Sequence, residues 1–260
     1  MNIILLLIAI IPVIILASYV YKKDKHKEPT SLLTKFFLCG VFAAIIVVIL
    51  NLVINIFIPI LEIDTDYMNY LELLFYVFIF IAFLEELLKW IFTYKLGYKN
   101  QEFDEMYDMV VYSVFTSLGF ATVENIIYIF LDGSIGIGIY RGLIAIPGHT
   151  CFAIFMGYYL SMAKLYSINN NYKQERLNKI KSIIIPIILH CIYDYCCFAG
   201  TYLFLIIFFV FIINLYLYAH NKLKYISSML KNVKYKNYYC PNCGNKVEDN
   251  YCKNCGFKQE

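Results

Sequence analysis

Seven stretches of this 260-residue chain are apolar over nearly the length a bilayer demands: roughly 2–21, 36–61, 71–94, 106–131, 135–163, 183–199 and 201–219. An apolar run of about 18 residues or more spans the hydrocarbon core as a helix, whose backbone groups are all bonded within the segment. The expectation is an all-α membrane protein, a bundle of about seven transmembrane helices. Composition agrees. Hydrophobic residues make up 61% and charged residues 16%, against about 25% charged in soluble domains. Mean hydropathy is +0.64. A soluble enzyme is excluded, and so is a disordered or collagen-like chain, since only 12 Gly and 6 Pro are present. The net charge of +3 offers no basic face outside short loops, so no nucleic-acid partner is expected.

No basic residue precedes the first stretch, whereas Lys22, Lys23, Lys25 and Lys27 follow it. A signal peptide has the reverse polarity, so this stretch reads as a retained span with its N-terminus outside. Alternation then puts 22–35, 95–105, 164–182 and 220–239 inside. These segments hold seventeen Lys and Arg, and the outside segments 62–70, 132–134 and residue 200 hold none. That asymmetry predicts a multi-pass cell-membrane protein with its C-terminus in the cytoplasm.

The chain divides into a membrane domain (1–221), a basic linker (222–238) and a cysteine-rich tail (239–260). The tail has two CxxC pairs, Cys240/Cys243 and Cys252/Cys255, followed by Gly244 and Gly256. Four thiolates suit one tetrahedral structural zinc in a small cytosolic ribbon. A reducing compartment disfavours disulfides. What the ribbon binds is not readable from its residues. Cys39, Cys151, Cys191, Cys196 and Cys197 lie inside spans and read as small apolar filler.

Spans three to six carry Glu85, Glu86, Lys89, Glu124, Arg141, His149, His190 and Asp194. Each charge at the bilayer centre costs roughly 2.5–3.5 kcal/mol, so these groups must face one another. The charge-free first, second and seventh spans would then form an outer wall. Glu85 and Lys89 are one turn apart, as are His190 and Asp194. Glu86 is offset about 100° from Glu85. Glu124 and Arg141 lie nearer the outer surface. Glu72 and Asp108 sit at span ends and read as interfacial. The chain contains neither a Gly-x-Ser-x-Gly elbow nor a His-Glu-x-x-His helix. Glutamates with histidines at membrane depth suit a carboxylate that activates water, with imidazoles holding a metal or bracing an oxyanion.

The ordered set of Glu85-Glu86-Leu-Leu-Lys89, Gly119-Phe120 through Glu124-Asn125 to Tyr128, Arg141 with Pro147-Gly148-His149, and His190 with Asp194 resembles the PrsW family of intramembrane proteases. These are distant kin of the CAAX prenyl endopeptidases and bacteriocin-processing membrane proteases. The resemblance implies a glutamate-dependent protease, sometimes classed as a metalloprotease, acting on a membrane-bound substrate such as an anti-sigma factor, and the Ile-, Asn-, Lys- and Tyr-heavy composition points to a bacterium with an AT-rich genome. It implies Glu85, Glu86, Glu124, His149, His190 and Asp194 as catalytic, with Lys89, Asn125 and Arg141 in support. Glu85 is the preferred base, because Lys89 on its face supplies the counter-charge a buried carboxylate needs. The broader group has His where this chain has Glu124. A metal triad of Glu124, His149 and His190 and a metal-free arrangement therefore both stand. The competing readings are a proton-coupled transporter and a non-catalytic membrane scaffold.

Overall fold

The apolar stretches fold as helices, with no strand among the described residues. The computed structural model describes residues 3–57, 65, 68–229, 242–243, 245 and 253–257. The order is α1 (Ile3–Lys23), α2 (Thr30–Phe57), α3 (Tyr70–Tyr76), a π-helical segment (Val77–Phe83), α4 (Leu84–Gly97), α5 (Asp108–Asp132), α6 (Ile135–Tyr140), a second π-helical segment (Arg141–Ala145), α7 (Ile146–Ile168), α8 (Tyr172–Phe198) and α9 (Tyr202–Met229). Six helices are long and apolar enough to cross a membrane: α1, α2, α5, α6–α7 taken together, α8 and α9. The remaining predicted span is helical from Tyr70 to Gly97, but Glu72, Glu85, Glu86 and Lys89 make it too polar to qualify by composition.

The largest boundary differences from the sequence expectation are the start of α8 and the end of α9. α8 begins well before 183, because the Asn171 side chain accepts the Gln174 N–H and caps a helix start there (3.2 Å). The predicted inside segment 164–182 thus shrinks to a turn at 169–171, and its basic residues ride on helix ends. α9 continues through Lys222 and Lys224 to Met229, past the predicted domain end at 221. Of the predicted zinc ligands, Cys240 and Cys252 lie outside the described residues.

Burial follows the distribution of charge. Within the most apolar window of α6–α7, 78% of residues are buried, against 22% in each of α1, α2 and α9. α7 is the central helix, packed against α5, α8 and α9. The charge-free spans turn residues such as Leu52, Ile56, Leu203 and Ile206 outward, where lipid is their natural solvent. The α1–α2 connection buries two carboxyls, Asp24 and Glu28, while its lysines stay exposed. Burial pushes the Asp24 carboxyl up to about 6 and the Glu28 carboxyl up to about 7.

The α2–α5 contact depends on two glycines. A Cβ at Gly40 would run into the Thr116 carbonyl, and one at Gly119 into the Phe37 carbonyl. In lipid, small residues of this kind let backbones approach closely. Gly40→Ala and Gly119→Ala should each destabilise the bundle by about 1–3 kcal/mol through overpacking. Gly136→Ala, whose new carbon would meet only Ser134 Oγ at 3.9 Å, should be far milder. Thermal unfolding in detergent micelles checks the ranking.

Candidate active site

The ionisable residues of four separate sequence motifs meet around one ammonium group. Lys89 on α4 is 1% exposed. Its Nζ donates to Glu86 Oε1 at 2.8 Å, to Glu85 Oε2 at 3.3 Å and to His149 Nδ1 at 3.2 Å. The Phe120 ring of α5 covers it, with Nζ 4.0 Å from the ring centroid. Lys89 therefore pairs with Glu85, as the one-turn spacing predicted, and lies closer still to Glu86. The long lysine stem reaches both carboxylates despite their angular offset.

The histidines are each held between two partners. Because Lys89 donates to His149 Nδ1, the hydrogen-bond network makes Nε2 the donor, and it meets Glu124 Oε2 at 2.7 Å. His190 on α8 has Nδ1 3.0 Å from Glu86 Oε1 and Nε2 3.1 Å from Asp194 Oδ2. Two carboxylates on opposite edges of the ring fix its orientation. The two imidazoles sit edge to face with centroids 5.2 Å apart, and Phe152 stacks on His190 at 5.0 Å.

Glu124 divides its oxygens between two partners: its Oε1 accepts from Arg141 Nη2 at 3.0 Å while Oε2 meets His149. Arg141 also donates through Nε to Asn125 Oδ1 at 3.1 Å and lies over the Tyr128 ring. The Asn125 amide in turn donates to the Ala9 carbonyl of α1 at 3.0 Å. A continuous polar chain thus runs from α1 through α5 and α7 to α4 and α8. All nine membrane residues given above as catalytic or supporting take part in it.

A cavity of about 380 Å³ adjoins this network. Glu85, Glu124, Arg141, His149, His190 and Asp194 reach its wall, whereas Glu86 and Lys89 lie behind it. Its other walls come from α2 (Val47, Asn51), the first π-helical segment (Phe80) and α5 (Tyr128). The polar groups therefore open onto a space large enough for a short stretch of extended peptide, lined largely by apolar side chains.

Glu85, Glu86, His149 and His190 each offer a ligand atom, all within 4.8 Å of one another. Glu86 Oε2 is buried and has no hydrogen-bond partner among the described residues. Two imidazoles and carboxylates are a donor set suited to zinc and similar ions. Glu124, third member of the metal triad that the sequence left open beside a metal-free arrangement, is not in this group; its oxygens are turned to Arg141 and His149.

Sequence reasoning missed the aromatic packing of Phe120, Phe152 and Tyr193, whose apolar character inside spans carries no distinguishing signal. It also missed both π-helical segments. One leads directly into Glu85–Glu86 through α4, and the other begins at Arg141 and ends just before the turn that bears His149. Such wide turns concentrate at functional sites.

The family model described as PrsW family intramembrane metalloprotease matches residues 28–218. The curated relatives include proteins named Protease PrsW. That of Clostridioides difficile is 37% identical over 195 residues, covering 74% of this chain and 78% of the relative. That of Oceanobacillus iheyensis is 34% identical over 215 residues, covering 83% and 92%. That of Bacillus subtilis is 32% identical over 188 residues, covering 72% and 79%. No solved structure matches the chain.

Lys89→Met removes the shared cation and leaves Glu85 and Glu86 facing each other in the interior. Breaking a buried pair in this way costs about 3–5 kcal/mol. Melting in detergent should show that loss, and the double variant Glu86→Gln/Lys89→Met should recover part of it. If the two variants melt alike, Glu86 is not the carboxylate that Lys89 neutralises.

Proposed function

The chain belongs to the PrsW family and is an intramembrane protease of the metalloprotease type, and from that premise we propose that Glu85 is the base that activates water against a peptide bond of a membrane-bound protein. The observation behind this reading is that Glu85 faces the cavity while Glu86 and Lys89 stand behind it. Only Glu85 of the pair can touch a cavity water and a peptide carbonyl together. Lys89 sets the charge and position of both carboxylates, and Glu86 orients His190.

In this scheme a water proton passes to a Glu85 Oε atom as the water oxygen bonds to the peptide carbonyl carbon. The proton then passes from Glu85 to the peptide nitrogen, and the carbon–nitrogen bond breaks. Cations and ring N–H groups on the cavity wall brace the oxyanion. Arg141 and the ring held by Asp194 are the candidates for that role. Glu86, His149 and His190 would hold a divalent ion, and such an ion supplies Lewis-acid polarisation and a more acidic bound water. Glu124 positions His149 against Lys89.

We extend the reading to the rest of the chain. The seventeen-to-none distribution of basic residues supports seven spans, with Tyr70–Gly97 as the third, the N-terminus outside and the C-terminus in the cytoplasm. The substrate class is a membrane-bound regulator of the anti-sigma-factor type, on the strength of the resemblance. The tail is a zinc ribbon of Cys240, Cys243, Cys252 and Cys255. Its support is the CxxC spacing together with the facing of the two knuckles: Asn242 Nδ2 donates to Cys255 Sγ, and Asn254 Nδ2 to Cys243 Sγ, both at 3.7 Å.

With the protein reconstituted in liposomes beside a single-span peptide substrate, Glu85→Gln should lower cleavage roughly 10²-fold or more. Glu86→Gln, His149→Ala and His190→Ala should also lose activity. Cleavage at the wild-type rate by all four variants, each folded, would sink the assignment of this centre as the active site. Deleting residues 237–260 should remove one zinc per chain, measured by elemental analysis, and leave cleavage in place.

A further inference from the structure

A second group of buried ionisable residues lies at the other end of the bundle, and the protease chemistry makes no use of it. Asp24 follows the end of α1, Glu105 stands in the turn before α5, and Asp108 opens α5. Their exposures are 2%, 2% and 0%. Asp108 is thus no interfacial residue, contrary to its place at a span end; the α1–α2 connection covers it. One carboxylate oxygen from each of the three lies within 4.8 Å of the others.

Each carboxylate is half engaged. Asp24 Oδ2 accepts the Glu28 N–H at 3.4 Å. Asp108 Oδ2 accepts the N–H groups of Asp104 and Glu105 at 3.0 and 2.7 Å. Glu105 Oε1 meets His26 Nδ1. The second oxygens, Asp24 Oδ1, Glu105 Oε2 and Asp108 Oδ1, are all buried and have no partner among the described residues. Glu28, also buried, adds a fourth carboxylate, which accepts from the Tyr112 hydroxyl at 2.7 Å. The Lys27 ammonium beside the group donates to the carbonyls of Tyr21 and Asp24 rather than to a carboxylate.

Native proteins leave few buried polar atoms unsatisfied. Three in one cluster, all carboxyl oxygens, describe a ligand rather than a packing arrangement. We propose that Asp24, Glu105 and Asp108 bind one hard divalent cation of the calcium and magnesium class, which fastens the end of α1 to the start of α5. The donors are oxygens, the set that hard cations select. They come from points about 80 residues apart in the chain, so an ion there closes a long loop. The proposal shares no residue with the centre around Lys89.

The test is thermal unfolding of the full chain in detergent micelles, stripped with chelator and then titrated separately with Ca²⁺ and with Mg²⁺. At about a hundredfold excess over Kd, one of the two ions should raise the wild-type midpoint by roughly 5–10 °C. The arm that responds identifies the ion. The same rise is expected in His190→Ala, which alters the other centre. Glu105→Gln should lose the response, and in chelator it should melt above the wild type, because one of the crowded charges is gone. Should that variant fail to fold, Asp24→Asn gives the same comparison. A wild type that responds to neither ion at millimolar concentration overturns the proposal. So does a response that persists undiminished in both variants. In the first case, a Glu105→Gln protein that melts below the wild type in chelator assigns the cluster to shared protons instead.

Discussion

The membrane domain is organised by the cost of one buried ammonium group. Lys89 sits at full burial among groups from α4, α5 and α7, with α8 joined through Glu86 and His190, and each of its contacts offsets part of the penalty for leaving water. The offsets are not independent. Glu86 serves both Lys89 and His190, and His149 bridges Lys89 and Glu124. The four helices must adopt one relative arrangement for all of these bonds to be made at once. In lipid the hydrophobic effect does not hold helices together, so this shared network and the close α2–α5 approach at Gly40 and Gly119 take over that role. The geometry a protease needs and the geometry that holds the bundle are largely one set of contacts.

Much of the site was legible in the sequence because charge is so costly in a bilayer. Eight ionisable residues in four spans had to meet, and those eight do. The one-turn spacings of Glu85 with Lys89 and of His190 with Asp194 translate directly into a 3.3 Å and a 3.1 Å contact. The charge-free first, second and last spans are the least buried of the six candidate membrane-crossing helices, as an outer wall should be. Spacing along one helix could not show which carboxylate faces the cavity. It likewise could not show that Glu124 divides its oxygens between Arg141 and His149, because those are contacts between helices. Asp108 illustrates the limit from the other side. A carboxylate at the end of an apolar run looks interfacial on a hydropathy scale, and only the path of the α1–α2 connection reveals that it is covered.

The helix boundaries of α8 and α9 show how far hydropathy underestimates helix length. Both helices continue beyond the apolar stretch into Lys- and Asn-bearing sequence, because those residues cost a helix little once their side chains reach polar surroundings. Asn171 terminates the turn by capping, a local signal that a window average smooths away. The short link between α7 and α8 then keeps His149 and His190 on adjacent antiparallel helices, so their edge-to-face packing follows from connectivity as well as from charge.

The wide turn at Val77–Phe83 has a geometric effect on everything that follows it. A π-helical segment holds about one residue more than the α-helix it replaces. One residue corresponds to about 100° of rotation around the axis. Drawn as an uninterrupted α-helix from Tyr70, the same sequence would swing Glu85, Glu86 and Lys89 by about a quarter turn, away from the histidines. The seven apolar residues Val-Phe-Ile-Phe-Ile-Ala-Phe, without a single polar atom in their side chains, thus act as the phase setting of the carboxylates. A single-residue deletion within them would restore a plain α-helix and keep the azimuth of the site, whereas the same deletion in α3 would swing the carboxylates by about 100° relative to the start of that helix.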